Sequence, residues 1–331
     1  WRIASLSSGI LRTGFQAGNK RGGKDRFYPS LLVPEVTQQF IELTHKKYAE
    51  KAGERLGNLF YATFTDEPSS MGHSFQNLGY GVYPWKKNLS DELYSRYGWR
   101  PEDKWLTIMY DDGNEGKRLR YQYFSLIRDF MSNYFFKAVK EYCNSVGVKS
   151  SGHLLLEESL PIQALLYGDI MACFREMDIP GIDVLTGMPG FTRRYLYSSR
   201  MAASAAELNG TTEVMSEICP VADPRFHNGK EAPTNDVKGT VNRQLAGGIT
   251  RFNNYLKLQH ASQEEKMEFN TYVARISTMM NSGYRASKIA LLYPVETIWT
   301  KLRPVPAWNK SWDNMAGGAP EVRKLSELFD S

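Results

Sequence analysis

Three short apolar runs in this chain end in carboxylates: LFYATFTDEP over residues 59–68, SGHLLLEE over 151–158 and TTEVMSEIC over 211–219. In the first, Pro68 cannot continue a β-ladder and biases its predecessor toward extended or turn geometry, so Asp66 and Glu67 fall where a strand gives way to a loop. Side chains alternate along a strand, which sets Thr63, Thr65 and Glu67 on one face of the first run. His153, Leu155 and Glu157 share a face of the second, and Glu213, Met215 and Glu217 of the third. Strands arranged in this way aim three carboxylates at one centre.

Carboxylates brought together support general acid and base chemistry, one giving up a proton while another attacks or activates water. Glu67 is the candidate acid, and a charged Asp66 beside it would raise its pKa. The second carboxylate is either Glu217 or one of Glu157 and Glu158, with parity favouring Glu157 unless a bulge shifts the strand end. His153, four residues before Glu157, is placed to hydrogen bond a substrate hydroxyl or to ligate a metal with Glu157. Asp183, Asn253, Asn254, Arg251 and His260 are further polar candidates near run ends.

These residues need a scaffold, and the chain supplies alternating helical and strand signals from Pro34 onward. Helices are expected over 34–51, 123–143, 161–177, 193–208, 236–246 and 263–281, with Phe124, Ile127, Met131, Phe135, Ala138 and Tyr142 marking the clearest apolar stripe. Strands are expected to end near Glu67, Glu157, Asp183, Glu217 and Asn253. Five successive βα units imply a parallel sheet. Between residues 69 and 121 lies a Gly-, Tyr- and Trp-rich stretch with one helical candidate over 90–97, which reads as a long functional loop whose Tyr83, Trp85 and Trp99 could stack on a sugar ring. The aliphatic run 287–294, SKIALLYP, reads as one more strand.

Composition narrows the class. With 331 residues, 42% hydrophobic and 23% charged, the chain can bury a large core, and its formal charge of +5 is spread without a basic block. Nucleic acid is therefore not an expected partner, and no apolar run is long enough for membrane insertion. Three cysteines without CxxC spacing argue against a disulfide framework or a zinc ribbon. HExxH, GxSxG, P-loop and dinucleotide-binding fingerprints are missing, which lowers protease, esterase, kinase and dehydrogenase readings.

The ordered blocks PEVTQQFIELTHKKYAEKAGERLGNLFYATFTDEPS, GHLLLEES, YGD, MDIPGIDVL, SEICP and GITRFNNY resemble the barrel region of large bacterial glycoside hydrolases, with alpha-L-rhamnosidase-like enzymes nearest. The resemblance spans roughly residues 30–300. It implies an α/β fold, a (β/α)8 TIM-type barrel that is N-terminally incomplete, with strands four to eight ending near Glu67, Glu157, Asp183, Glu217 and Asn253. It further implies a partial preceding segment over 1–33, a catalytic barrel over 34–284 and the start of a following α/β domain over 285–331, so that further domains of the same polypeptide become partners alongside a glycan or glycoside substrate. The chain departs from the largest barrel-glycosidase clan, which places Asn before the fourth-strand acid where Asp66 stands here.

The function this resemblance implies is glycoside hydrolysis by paired carboxylates. Competing expectations are a retaining galactosidase- or mannosidase-type exo-glycosidase, a non-catalytic carbohydrate-binding barrel, and a metal-dependent barrel hydrolase. No cofactor is required by the sequence, although the family resemblance admits calcium, a hard cation that prefers oxygen ligands. A periplasmic or extracellular bacterial setting is likewise an implication of the family resemblance.

Overall fold

A computed structural model describes residues 9–10, 27–71, 82–190, 195–219, 223, 231–255, 258–283 and 285–303. Two two-residue strands, β1 (Gly9–Ile10) and β2 (Phe27–Tyr28), form a small antiparallel pair. The main strands follow in chain order: β3 (Ala62–Asp66), β4 (Lys149–His153), β5 (Gly181–Val184), β6 (Met215–Ile218) and β7 (Arg251–Asn254). β3 pairs in parallel with β4, and β6 pairs in parallel with both β5 and β7. The two groups join through a parallel bridge between Ser151 and Ile179, where the Ile179 N–H donates to the Ser150 carbonyl at 3.0 Å. Five parallel strands thus run β3-β4-β5-β6-β7, and helices occupy each connection.

Glycine permits the closest approaches in this sheet. Gly152 has φ +146, and a Cβ there would lie 2.1 Å from the Thr65 carbonyl oxygen; a Cβ on Gly181 would lie 2.4 Å from the Gly152 carbonyl oxygen. Any side chain at these positions would wedge β3, β4 and β5 apart. The sheet is also curled, because residues from its two outermost strands meet. Tyr61 lies immediately before β3 and Arg251 opens β7, yet the Arg251 guanidinium sits 4.9 Å from the centre of the Tyr61 ring.

By register and alternation, the concave face carries Phe64 and Asp66 from β3, Ser151 and His153 from β4, Asp183 from β5, Glu217 from β6 and Asn253 from β7. Convex-face residues meet the helices: Thr63 Oγ1 lies 3.2 Å from Cys143 Sγ, and Ile182 and Val184 are fully buried. The main core continues through Phe124, Ile127, Phe135 and Phe174, while a second cluster gathers Ile218, Val237, Val241 and Phe269. The described residues supply five parallel strands rather than the eight of a closed barrel.

Other elements depart from expectation. The stretch expected as a long loop with one helix over 90–97 holds that helix, Leu89–Tyr97, and two more elements, Pro101–Tyr110 and the start of Asn114–Phe130. Pro101 sits in the first turn, followed by Glu102 and Asp103, and the Asp111 carboxylate accepts the N–H groups of Gly113 and Gly116 to open the next helix. That helix passes through a π-helical stretch, Met131–Lys137, into Ala138–Ser145. The helix expected over 161–177 is two, Leu160–Tyr167 and Ile170–Arg175, separated by Gly168 at φ 71.

The run 287–294 forms no strand, and Ile289 and Leu292 are 82% and 85% exposed. Immediately after it, the helix Val295–Lys301 enters the main core: Trp299 is fully buried and donates its Nε1–H to the Gly168 carbonyl at 2.6 Å, and Arg120 Nε donates to the Thr300 carbonyl at 2.7 Å. This helix thus packs on elements that precede residue 285. No helix among the described residues is long and apolar enough to cross a membrane.

Candidate active site

His153, the last residue of β4, is the hub of the concave face and only 1% exposed. Its Nε2 lies 3.2 Å from Glu217 Oε2 and 3.4 Å from Asp66 Oδ1, and its Nδ1 lies 3.8 Å from Glu157 Oε1. The register explains two of these contacts. Asp66 stands opposite His153 in the β3-β4 pair, and Asp183, Glu217 and Asn253 stand opposite one another across β5, β6 and β7. All five residues lie at the C-terminal ends of parallel strands, where α/β folds bind ligands.

Glu67 and Glu157 reach this rim by breaking the alternation. In β3 it is Asp66 that shares the inner face with His153, whereas Thr63 points to the helices; the face expected for Thr63, Thr65 and Glu67 is the outer one. Glu67 escapes it through a left-handed backbone, φ 46, so that its carboxylate comes within 4.8 Å of ligand atoms on Asp66 and His153. β4 stops at His153, so parity says nothing about the residues after it. Leu156 is left-handed at φ 63, and the chain folds Glu157 back so that its Oε1 accepts the Leu154 N–H at 2.7 Å. The Gln163 side-chain amide donates to the Glu157 carbonyl and the Tyr167 hydroxyl receives the Leu155 N–H, which fixes the turn. Non-glycine residues in left-handed backbone cost on the order of 1–3 kcal/mol and concentrate at functional sites.

Electrostatics at this rim are unbalanced. Burial works against a charged His153, but its hydrogen bond to Glu217 and the nearby charges of Glu157, Asp183 and Glu217 outweigh it and lift the imidazole to about 10. His153 is an imidazolium at neutral pH. Burial raises Asp183, helped by the charges of Glu217, Glu67 and Glu158 and opposed by His153, to about 8. Burial also holds Glu157 well above the usual carboxylate range. Buried Asp183 Oδ1 has no hydrogen-bond partner among the described residues. Among the described residues His153 is thus the cation seen in contact with this set of carboxyl groups, and burial raises Asp183 and Glu157 within it.

Access differs within the cluster. The Asp66 side chain is 72% exposed and Glu67 is half-buried, while Glu157 is 2% exposed and turned inward. Glu158 is half-buried and its charge acts on Glu157 and Asp183. Asn253 is half-buried opposite Glu217, and Asn254 is exposed. His260 is exposed, its backbone N–H donating to Glu231.

The aromatic residues expected as a wall are instead part of the helical packing. Trp85 and Tyr83 lie against Trp105, Tyr83 donates to the Leu302 carbonyl, and Trp99 is 7% exposed with its Nε1–H donated to Gln122. Arg251 and Glu213 lie at the opposite end of the strands, in a network with Tyr61 and Lys149.

Asp66, Glu67 and His153 together offer ligand atoms close enough to hold a divalent cation. The two carboxylates suit calcium, whereas ligation through His153 requires its imidazolium to lose a proton first.

The chain is similar in fold to the rhamnosidase from Novosphingobium sp. PP1Y, with a TM-score of 0.54 and 17% identity over 78% of this chain and 26% of that one. It therefore spans about a quarter of that enzyme's length. No family model matches the sequence, and no curated protein matches it.

Proposed function

We propose that this chain is the catalytic barrel region of an alpha-L-rhamnosidase-like glycoside hydrolase, with Glu67 as general acid and Glu217 as its partner carboxylate. The observation that carries the reading is the convergence of Asp66, Glu67, Glu157, Asp183 and Glu217 on one buried imidazolium at the C-terminal rim of a curled parallel sheet. The fold likeness to a rhamnosidase supports the same class. Hydrolysis of a glycoside needs a proton delivered to the leaving oxygen and a second carboxylate acting at the anomeric centre.

In this assignment Glu67 is the donor, turned onto the rim by its left-handed backbone and within 4.8 Å of ligand atoms on Asp66 and His153. Glu217 acts from β6, anchored by His153 at 3.2 Å, either on the anomeric carbon or on a water beside it. His153 is a positioning residue: it holds Glu217 and Asp66 on one nitrogen and offsets their repulsion. Glu157, buried and bonded to the Leu154 N–H, supports the imidazolium from its other side. Calcium is the cation that Asp66 and Glu67 would hold in a resting state with both carboxylates ionised; Glu67 gives up a proton only when that ion is absent, and no step above includes it.

The experiment is a panel of aryl and alkyl alpha-L-rhamnosides, mannosides and galactosides assayed with the wild type and Glu217→Gln. Hydrolysis of rhamnosides, lost in the variant, is the expected result. Proton NMR of the first-formed sugar then separates attack by Glu217, which retains configuration, from activation of water, which inverts it. A wild type inert toward every member yet able to bind the free sugars would replace this reading with a carbohydrate-binding barrel.

A further inference from the structure

Two aromatic side chains border the carboxylate cluster without serving the core. Phe64 lies on the inner face of β3, two residues before Asp66; its ring centre is 5.5 Å from that of His153, edge to face, and the residue is 40% exposed. Inner-face residues of a small curled sheet ordinarily pack on one another, so an open phenylalanine beside a buried imidazolium is unusual. Tyr255 follows β7 directly, its backbone N–H bonded to the Ile218 carbonyl at 2.9 Å, and it is 56% exposed. That bond extends the β6-β7 ladder by one residue and keeps Tyr255 on the face of Asn253 and Glu217; the charge of Glu217 first, then burial and the charge of Asp66, raise its phenol above the ordinary range. Phe64 comes from one outermost strand and Tyr255 from the end of the other. Phe64 borders His153, and Tyr255 lies on the face of Glu217, the carboxylate that His153 holds.

We propose that Phe64 and Tyr255 form an apolar wall of the substrate site that takes the C–H face of a pyranose ring while Asp66 and Glu217 take its hydroxyls. The proposal rests on the glycoside reading above for the identity of the ligand. A pyranose has a hydroxyl-bearing edge and an apolar C–H face, so a site for it combines acceptor groups with an aromatic surface. Here the acceptors and the aromatic rings are adjacent. Both rings sit on strand ends and have only two side-chain torsions, so ordering them around a ligand costs little entropy. The same pair explains how the chain presents a sugar-stacking surface although Tyr83, Trp85 and Trp99 are committed to helical packing.

The test compares wild type, Phe64→Ala, Tyr255→Ala and Tyr255→Phe, with Tyr48→Ala as a control in an exposed helix far along the chain. Steady-state kinetics on p-nitrophenyl alpha-L-rhamnoside are paired with binding of L-rhamnose, D-mannose and D-galactose to the Glu67→Gln background. Each alanine variant is expected to raise KM and weaken sugar binding about tenfold with little change in kcat, since loss of an aromatic contact is worth about one power of ten. Tyr255→Phe, which keeps the ring, recovers most of the loss. Tyr255 is exposed enough for truncation to leave the fold intact, so the Tyr255 series decides the matter even where Phe64→Ala misfolds.

An active wild type whose Tyr255→Ala variant keeps both KM and sugar affinity overturns the wall and leaves the hydrolase reading standing. A wild type that binds a sugar but hydrolyses no glycoside, with binding lost in Tyr255→Ala, supports the wall and overturns the hydrolase. Neither binding nor hydrolysis by the wild type overturns both.

Discussion

The two ends of the same five strands carry charged networks of opposite design. At the N-terminal end Glu213 is shared by Lys149, Arg251 and the Tyr61 hydroxyl, which lies 2.6 Å from one carboxylate oxygen. Burial opposes ionisation of Glu213, but these hydrogen bonds and the Arg251 charge prevail and lower it to about 2. At the C-terminal end, among the described residues, one imidazolium faces several carboxyl groups, and the shifts go upward, to about 10 for His153 and about 8 for Asp183. A carboxylate surrounded by donors is locked in one protonation state and serves stability. Carboxyl groups crowded around too few cations hold protons near neutral pH, the condition acid–base chemistry requires.

That contrast is breakable by mutation. The largest effect is expected from Glu67→Gln, which should keep the shape of the rim and reduce turnover of glycosides with poor leaving groups by on the order of 10²-fold or more. Activated aryl glycosides, needing little protonation, should lose much less; equal losses on both substrate types would remove Glu67 from the acid's role.

Next comes His153→Gln. Removing the one cation from a buried cluster should cost about 3 kcal/mol in denaturant unfolding as well as activity. Unchanged stability would mean that the carboxyl groups do not depend on the imidazolium.

Glu213→Gln should separate the two ends. Activity is expected to stay within about twofold, since the residue lies away from the site, while the unfolding midpoint falls. The sign with pH follows from the lowered pKa: the contribution of Glu213 is fully present above the ordinary carboxylate pKa and is lost as pH falls through about 2. The difference between wild type and variant should therefore shrink as the solution is acidified from about pH 4.5 toward 2. A gap that stays constant over that window would discount the network.

The smallest effect is expected from calcium. Millimolar calcium should raise the wild-type melting midpoint modestly by binding only the folded state, and Glu67→Gln should blunt the rise. A rise of equal size in that variant would place the ion elsewhere.

Much of the scaffold was legible. Helix Gln263–Asn281 reads directly from its apolar periodicity, and its start is marked by Ser262 and Glu265, which cap each other's backbone N–H groups. β5 and the helix Thr234–Gly247 likewise lie close to where their patterns place them. Of the three helices between residues 89 and 130, Leu89–Tyr97 was expected; Pro101–Tyr110 and the first turns of Asn114–Phe130 were hidden because glycine and aromatic residues interrupt the stripe, while their start signals, Pro101 and the Asp111 turn, are local. At the site, the residue types at strand ends were visible and their aim was not. Parity fails past a strand end, where Glu67 is itself left-handed and Glu157 follows the left-handed Leu156. Phe64 carried a usable signal, the same parity as Asp66; Tyr255 carried none.

By itself the sequence determined the succession of βα units and the carboxylates at their ends, because both are written in nearest-neighbour periodicity and in the chain-breaking chemistry of proline and glycine. Only the tertiary structure decided which of those carboxylates meet. Curling brings β3 and β7 within reach across a concave face, gathers Asp66, Glu157 and Glu217 on His153, and sends Glu213 to the opposite rim among Lys149, Arg251 and Tyr61. It likewise left the aliphatic run 287–294 without a ladder and buried Trp299, ten residues beyond Ile289, in the core. The reason is that pairing, burial and the field of neighbouring charges are set by residues far apart along the chain, and a local pattern carries no record of them.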